Sequence, residues 1–516
     1  MLVPPRDRKL LILPALAGVL SFACFPEANQ GYLAWIALVP LVVFTLMCRR
    51  SAEAFFGGFA CGAIQFFSLL PWIPRVLSHY GGLSPALAWL LYALMTALLA
   101  CYPASACLLA RLCMNASGER MIFVLPLAWV AMEYSRNYTP FGGFPWLLAG
   151  YSQTNNLAVI QIADLAGVYG VSFLVLWVNT AIAWFILRPL HGRPALWVLA
   201  SSAAVVLMCV WYGRVSLGRW QYPAADHTAA LLQGNLSLDE PEAVLAQKYR
   251  EGYVNMADRL QHSKTDLLVL PESPSPSSFQ YEVDYRSAMQ QLARRFPFGM
   301  VLNNISYSDL GVERGYFNSA FFIGPDGEET ARYDKIHLVP FGEYIPLKRL
   351  FSFAQTITKD VSDFQEGREY AVAQVAGRPV NAIICFEAIF PELSRRFAAR
   401  GSELIINLTN DAWYGDSSAP YQHLAMARWR AVETRRYLLR ATNSGISAIV
   451  EPTGRIQSST PLFTEDICIG RFAFLNQKTA YTRSGDVLPP LCAIITLLAI
   501  LGSLRHRFKA VARSRP

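Results

Sequence analysis

The sequence predicts two kinds of structure in one chain: a bundle of eight membrane-spanning helices and one α/β domain. Of the 516 residues, 53% are hydrophobic and 16% are charged, whereas about a quarter of the residues in soluble domains are charged. Residues 10–213 and 487–504 are apolar with short charged breaks, and residues 218–485 have the composition of a globular domain. The mean hydropathy of +0.28 therefore averages a membrane part and a water-soluble part.

Eight apolar segments are candidates to cross a bilayer, which takes roughly 17 to 25 residues, although the first and fifth are short and would have to extend into their flanks. They lie near residues 10–25, 31–48, 54–74, 84–110, 121–134, 168–188, 194–213 and 487–504. Lys and Arg are concentrated at the N-terminus, in alternate gaps and in the C-terminal tail. Positive residues mark the cytoplasmic side of a membrane protein, so both termini are predicted to be cytoplasmic.

This arrangement divides the chain into three regions. Residues 1–217 carry seven spans, residues 218–485 form the globular domain, and residues 486–516 carry the last span and a basic tail. The domain lies between the seventh and eighth spans, which predicts a periplasmic position on a bacterial inner membrane. The net charge of +8 resides largely beside the spans, where it sets orientation, so nucleic-acid binding is not expected.

The membrane region contains one segment that cannot span as a helix. Residues Tyr138–Asn155 are apolar and aromatic but broken by Gly and Pro, which indicates an interfacial or re-entrant segment on the outer side. It is either an aromatic belt or a lipid-facing rim, and we favour the rim. Glu133 and Asp164 lie near span ends, where an intramembrane function and a solvated structural role are both open.

The globular domain alternates strand-like and helix-like patterns. Strands are predicted at "AALLQGN", "DLLVLPES", "GMVLNNISY", "NSAFFIGPDG", "VNAIICFE", "ELIINLTND" and "SAIVEPTGR", and helices at "EAVLAQKYREGYVNMADRLQ", "SAMQQLARRF" and "HLAMARWRAVETRRYLLRA". Alternation of this kind favours an α/β domain with helix-covered sheets. Functional side chains in such sheets stand at strand ends.

Three predicted strand ends carry reactive groups: Glu272, Lys335 and Cys385. A free thiol has a pKa of about 8.5, which a nearby ammonium lowers, and a carboxylate can accept its proton. Gathered at the edge of one sheet, the three side chains would form a nucleophilic centre. Taken singly, a Glu or Lys is usually a solvated charge and a Cys is usually part of a core.

The ordered motifs "LPES", "YDKIHLVPFGEYIP", "ICFE" and "NLTNDAWYG" resemble those of the nitrilase superfamily. The resemblance extends from about residue 228 to 475 and implies an αββα sandwich with a Glu-Lys-Cys triad. Fusion of this domain to an eight-span bundle resembles the membrane-embedded apolipoprotein N-acyltransferases. Their "FPW" and "LLQGN" motifs are also present in this chain.

The resemblance implies a role for each matching residue. Cys385 would be the nucleophile, Glu272 the general base and Lys335 the electrostatic stabiliser. Glu343 and Glu387 would be supporting carboxylates. The substrate pocket would include Phe386, Asn410, Trp413, Tyr344, Phe144 and Trp146. Two features depart from the family pattern: Phe386 stands where some relatives have Tyr, and no Trp follows "QGN".

The implied reaction is transfer of a fatty acyl chain through a Cys385 thioester. The donor would be a phospholipid, with phosphatidylethanolamine expected, and the acceptor the α-amine of the diacylglyceryl cysteine of an apolipoprotein. No metal or cofactor is expected. Cys468, the only other cysteine of the domain, should stay apart from Cys385. The apolar stretch Tyr344–Ile357 is either a lipid-dipping lid or a packed connection.

Two other functions remain open from the sequence. One is a membrane-tethered nitrilase-type amidase or hydrolase that passes a small acyl group to water, although such a soluble substrate gives the spans no purpose. The other is a transporter or receptor whose outer domain only binds a ligand. In the last case Cys385 would be dispensable.

Overall fold

The structure is a computed structural model that describes residues 8–187, 193–220, 225–272, 277–309, 314–346 and 364–513. The chain forms two compact units. The membrane unit comprises Met1–Pro74, Pro85–Ser216 and Ser484–Pro516, and the catalytic unit comprises Arg75–Ser84 and Leu217–Arg483. The short segment Arg75–Ser84, which the sequence presents as a gap between spans, therefore belongs to the catalytic unit.

The membrane unit is helical. Its α-helices are Ile12–Ala23, Ala34–Ala37, Val39–Met47, Ser51–Leu69, Pro85–Ser117, Val124–Ser135, Leu157–Ile160, Ala163–Leu187, Arg193–Arg219 and Leu488–Arg513. Within the described residues, five helices are long and apolar enough to cross a membrane: Ser51–Leu69, Pro85–Ser117, Ala163–Leu187, Pro194–Arg219 and Leu488–His506. Apolar helices also form in the three other predicted spans, but they are shorter.

The irregular segment between Tyr138 and Asn155 is mostly buried inside the membrane unit. Trp146 is 1% exposed, and its ring stacks on Phe144 with centroids 5.5 Å apart. Residues 147, 148 and 151–154 are buried as well. The expected lipid-facing rim is therefore wrong for most of the segment. The protein covers this non-helical backbone, as a low-dielectric environment requires.

Glu133 and Arg136 both bind the backbone in the middle of this segment. The Glu133 carboxylate accepts hydrogen bonds from the Ala149 amide (2.7 Å) and from the Trp129 indole (3.2 Å). The Arg136 guanidinium donates to the carbonyl oxygens of Phe144 (3.1 Å) and Trp146 (2.5 Å). Glu133 is 5% exposed, so the solvated role is wrong, and the intramembrane function stays open.

Asp164 is also buried, and both of its carboxylate oxygens accept from the Tyr212 hydroxyl, at 2.8 and 3.0 Å. The solvated role that the sequence left open for this residue is therefore wrong as well.

The catalytic unit contains two six-stranded sheets. The strands are β1 His227–Gln233, β2 Leu267–Val269, β3 Met300–Asp309, β4 Arg314–Ile323, β5 Glu329–Asp334, β6 Ala373–Val375, β7 Arg378–Ile384, β8 Ile405–Thr409, β9 Leu438–Thr442, β10 Ala448–Val450, β11 Ile456–Ser459 and β12 Asp466–Phe472. The first sheet has the order β12-β1-β2-β3-β4-β5, and the second has the order β11-β10-β9-β8-β7-β6. The central pairs β1–β2, β2–β3, β7–β8 and β8–β9 are parallel.

The two sheets pack face to face, with β1 against β9, β4 against β7 and β10 against β12. Helices Glu242–Asp258 and Val283–Ala293 cover the first sheet with buried Tyr and Met side chains. Helices Pro391–Ala399 and Ala419–Thr434 pack on each other, and the second of them contacts β9. The layers therefore run helix, sheet, sheet, helix, which is the αββα sandwich that the resemblance implies.

One predicted helix is wrong at its C-terminal end. The pattern from His423 to Ala441 predicts a continuous helix, but the helix ends at Thr434. Arg435 then adopts a left-handed conformation with φ of 54°, and Leu438–Thr442 forms the fully buried strand β9. A left-handed residue commonly ends a helix, although glycine usually occupies that place.

Candidate active site

Three strand ends supply the predicted reactive residues, and they come from both sheets. Glu272 follows β2 and Lys335 follows β5 in the first sheet, whereas Cys385 follows β7 in the second. The expectation of a single sheet is therefore wrong. The Lys335 Nζ lies 3.7 Å from Glu272 Oε1, and both groups interact electrostatically with the Cys385 thiol. The face-to-face packing of the sheets thus brings the three side chains together.

The two carboxylate oxygens of Glu272 have different surroundings. Oε1 accepts a hydrogen bond from Asn318 Nδ2 at 2.9 Å, whereas no N–H or O–H group of the described residues donates to the buried Oε2. Burial raises the pKa of this carboxyl, and the neighbouring Glu343 raises it further, while Lys335 and hydrogen bonds from Asn318 and the Cys385 thiol oppose these effects. A buried carboxylate with raised proton affinity beside the thiol suits a general base.

Lys335 is 1% exposed and lies between two carboxylates. Its Nζ donates to Glu343 Oε1 at 2.8 Å, in addition to the longer contact with Glu272. Burial alone would lower the pKa of this ammonium, but Glu343, Glu272 and Cys385 hold it above the ordinary lysine value. The side chain is therefore a fixed positive charge beside the thiol.

Cys385 occupies a sharp turn from β7 into the short 3-10 helix Cys385–Ile389. Its φ of +50° is unusual for a non-glycine residue and is often found at functional turns. Burial raises the pKa of the thiol, Glu272 raises it further, and Lys335 counteracts both. Lys335 thus lowers the thiol pKa as expected, but burial has the larger effect and keeps that pKa above the ordinary cysteine value. A base that accepts the thiol proton is therefore needed before the sulfur can attack.

Glu343 supports the lysine side of the site. Its Oε1 accepts from Lys335 Nζ and from Asn318 Nδ2, which lies at 2.9 Å. Its Oε2 accepts from the Val339 amide at 2.8 Å. Since Asn318 also donates to Glu272, one amide group aligns both carboxylates around the ammonium.

Glu387 is fully buried and joins the nucleophile turn to the lysine loop. Its Oε1 accepts from the Tyr333 hydroxyl (2.7 Å) and from the amides of Ile336 (2.7 Å) and His337 (3.1 Å). Its Oε2 accepts from the Ile384 amide at 2.7 Å. With hydrogen bonds to both oxygens, Glu387 positions the backbone on either side of the site.

The other predicted pocket residues belong to both units of the chain. In the catalytic unit, Phe386 is 6% exposed and packs edge to face against Phe390. The Asn410 side chain caps the Ala412 amide at 3.2 Å, and Tyr344 is half-buried. Trp413 is 42% exposed.

The Trp413 ring contacts Tyr80 of the segment Arg75–Ser84, with ring centroids 4.8 Å apart. Phe144 and Trp146 belong to the membrane unit, where Trp146 is a packed interior residue. The predicted lid lies mostly outside the described residues, which end at 346 and resume at 364.

Sequence reasoning missed a buried trio behind the nucleophile: Asp411, His423 and Arg440. Asp411 follows β8, His423 lies in the helix Ala419–Thr434, and Arg440 lies within β9. His423 Nε2 is 3.1 Å from the carbonyl oxygen of Cys385. A signal was present in "TNDAWYG", where an acid follows a buried strand, but the partner His and Arg stood in a segment read as one helix.

Comparisons with known proteins agree on one family. The family model for the apolipoprotein N-acyltransferase N-terminal domain matches residues 17–181, and that for carbon-nitrogen hydrolase matches residues 228–474. The apolipoprotein N-acyltransferase of Geobacter metallireducens is 36% identical over 99% of this chain and 97% of its own length. That of Methylococcus capsulatus is 34% identical over 93% of each chain, and that of Nitrosomonas europaea 33% over 95% of each.

Proposed function

The chain belongs to the apolipoprotein N-acyltransferase family, and from that premise we propose that it transfers a fatty acyl chain from a phospholipid to the α-amine of a diacylglyceryl cysteine on an apolipoprotein. The observation that carries this proposal is the buried thiol of Cys385 beside the carboxylate of Glu272 and the fixed ammonium of Lys335. These groups match the chemistry of covalent acyl transfer.

The first half-reaction forms a thioester. Glu272 Oε2 takes the proton of the Cys385 thiol as Sγ attacks the ester carbonyl carbon of the phospholipid. The Lys335 ammonium stabilises the negative charge that develops on the carbonyl oxygen. The carbon–oxygen ester bond breaks, the departing lysophospholipid alkoxide receives the proton from Glu272, and the acyl chain stays on sulfur.

The second half-reaction forms an amide. The lipoprotein α-amine attacks the thioester carbon, Glu272 accepts a proton from the attacking nitrogen, and the carbon–sulfur bond breaks. Glu272 then returns that proton to Cys385 Sγ, which restores the thiol. Water must be kept from the thioester between the two steps, and the burial of the sulfur at 7% exposure supports this requirement.

The test is intact-mass measurement of the detergent-solubilised protein with phosphatidylethanolamine. We expect one added acyl group, lost on addition of a diacylated lipopeptide that becomes triacylated. Cys385→Ala should show no adduct, and the matched control Cys468→Ala should behave as wild type. Free fatty acid or ammonia as the only products would instead indicate a hydrolase, and an active Cys385→Ala protein would indicate a binding module.

We further propose that the chain spans a bacterial inner membrane eight times with both termini in the cytoplasm and the catalytic unit in the periplasm. The alternation of Lys and Arg between gaps supports this topology. Single cysteines placed at exposed sites of a cysteine-free variant, such as Glu251→Cys, should react with a membrane-impermeant maleimide in spheroplasts. Reaction only after cell lysis would contradict the periplasmic assignment.

A further inference from the structure

A closed cluster of charged side chains lies directly behind the nucleophile. Asp411, His423 and Arg440 are all 0% exposed at their side chains. Asp411 Oδ1 is 2.9 Å from His423 Nδ1, and Asp411 Oδ2 accepts from Arg440 Nη2 at 2.8 Å. Arg440 also donates to Asn407 Oδ1. Three separate elements on the side of the second sheet thus hold the His423 imidazole in place.

The imidazole of His423 connects this cluster to the backbone of the nucleophile. His423 Nε2 is 3.1 Å from the carbonyl oxygen of Cys385. A carbonyl oxygen can only accept, so Nε2 must carry a proton and donate. At the other nitrogen of the ring, Nδ1 lies 2.9 Å from Asp411 Oδ1 and 3.2 Å from Arg440 Nη2. The carboxylate and the guanidinium together therefore fix the orientation of the ring.

The backbone of Cys385 needs such restraint. A non-glycine residue with φ of +50° is strained and persists only where the surroundings hold it. Glu387 Oε2 accepts from the amide of Ile384, one residue earlier, and His423 donates to the carbonyl of Cys385 itself. The turn is therefore held by hydrogen bonds on both sides of the Cα atom that carries the sulfur.

We propose that His423 is a positioning residue that holds the Cys385 carbonyl through Nε2–H and so aims Sγ at the acyl carbon, with Asp411 and Arg440 orienting the imidazole. The inference rests on the proposed acyl transfer, since it assigns His423 a part in that reaction. His423 touches no reacting atom. Its effect acts through the geometry of the nucleophile, for which displacements of about 1 Å can cost on the order of a hundredfold in rate.

The test compares two amide replacements that each keep one of the two imidazole contacts. In His423→Gln the amide nitrogen falls near the position of Nε2 and can still donate to the Cys385 carbonyl. In His423→Asn it falls near Nδ1 and can donate only to Asp411. We expect His423→Gln to lower the single-turnover rate of Cys385 acylation by less than about tenfold and His423→Asn by about a hundredfold, with phospholipid KM unchanged in both.

The opposite order, or equal rates for the two variants, would overturn the proposal, because the Asp411 contact would then be the important one. Alkylation of Cys385 by iodoacetamide provides a readout without phospholipid, and the same order is expected. If the wild type is alkylated but never acylated, the proposed function fails while the test of His423 still stands.

Melting temperatures in detergent show whether the two variants fold. Should neither fold, the ¹⁵N chemical shift of His423 in the wild-type protein decides. We expect the signature of a protonated, hydrogen-bonded Nε2, and an unprotonated Nε2 would overturn the proposal.

Discussion

Two buried glutamates flank the nucleophile, one on each sheet side, and they differ in how many donors surround them. Glu387 accepts four hydrogen bonds, three of them from backbone amides. Glu272 accepts one from Asn318, and no N–H or O–H group of the described residues donates to its Oε2. Burial raises the pKa of both carboxyls. Burial therefore does not distinguish a base from a structural anchor, whereas the number of fixed donors around the carboxylate does.

The contrast extends to the two sides of the site. The first-sheet side, with Glu272 and Lys335, holds charges that can change partners during a reaction. The second-sheet side, with Glu387, Asp411 and His423, consists of groups whose hydrogen bonds fix the backbone around Cys385. In the proposed mechanism, the groups that transfer protons are thus separate from those that hold the nucleophile in place.

Removing the nucleophile should have the largest effect. Cys385→Ala should abolish acyl transfer to below detection, because neither side of the site can act without the sulfur. Transfer of labelled acyl chains to a diacylated lipopeptide measures this loss. The control Cys468→Ala, on β12, should retain wild-type transfer. Equal activity of the two variants would contradict the assignment of Cys385 as the nucleophile.

Replacing Glu272 should have the second-largest effect. Glu272→Gln keeps an oxygen to accept from Asn318 but cannot take a proton, so the acylation rate should fall by about 10²- to 10⁴-fold. The melting temperature should change little. Single-turnover mass spectrometry gives the rate, with the exposed Glu251→Gln as the matched control. Near-normal acylation rates for Glu272→Gln would show that another group accepts the proton of the Cys385 thiol.

The pH dependence of acylation should report the titration of Glu272. Because burial and Glu343 raise the pKa of Glu272, the carboxylate needed as base is lost at a higher pH than an ordinary glutamate would be. The rate should therefore fall about tenfold per pH unit below that raised pKa. Rate–pH profiles of the wild type and of Glu387→Gln should share this limb, since Glu387 is not the base.

Replacing Glu387, which accepts hydrogen bonds at both oxygens, should reduce stability more than it reduces activity. Glu387→Gln places an amide N–H against at least one of the four donors, which should lower the free energy of unfolding by about 2 to 4 kcal/mol. Thermal melting in detergent measures the loss. A folded variant should lose less than a hundredfold in acylation rate, which is less than the loss expected from Glu272→Gln. A stable but inactive Glu387→Gln protein would instead give Glu387 a chemical role.

Replacing the exposed Trp413 should have the smallest effect on activity. Trp413 is 42% exposed and contacts Tyr80, and an aromatic pair contributes about 0.5 to 1.5 kcal/mol. Trp413→Ala should therefore change kcat/KM by roughly tenfold or less, with the exposed Tyr421→Ala as control. A larger loss would show that the ring contacts the substrate.

Sequence patterns predict part of this architecture and not the rest, for physical reasons. Buried central strands such as β7 and β8 are mostly apolar, so Cys385 and Asn410 at their ends could be placed. The edge strand β5 reads "ETARYD" and is exposed over part of its length, so no apolar pattern marks it. The assignment of Glu272 and Cys385 to different sheets depends on strand pairing between residues far apart in the chain.

The cluster of Asp411, His423 and Arg440 is the part of the site that the sequence predicts least well. His423 stands within a regular helical pattern, and Arg440 follows in what looks like its continuation. The left-handed turn at Arg435 carries no glycine to reveal it. Only the reversal of the chain there brings Arg440 beside Asp411. The residues with visible chemistry were predictable, whereas those that hold them required the tertiary structure.

The burial of Cys385 has a consequence for its resistance to oxidation. Oxidants and foreign disulfides attack thiolates far more readily than thiols, and burial both raises the pKa of this thiol and leaves the residue 7% exposed. We therefore expect Cys385 to be oxidised more slowly between turnovers than an exposed cysteine would be.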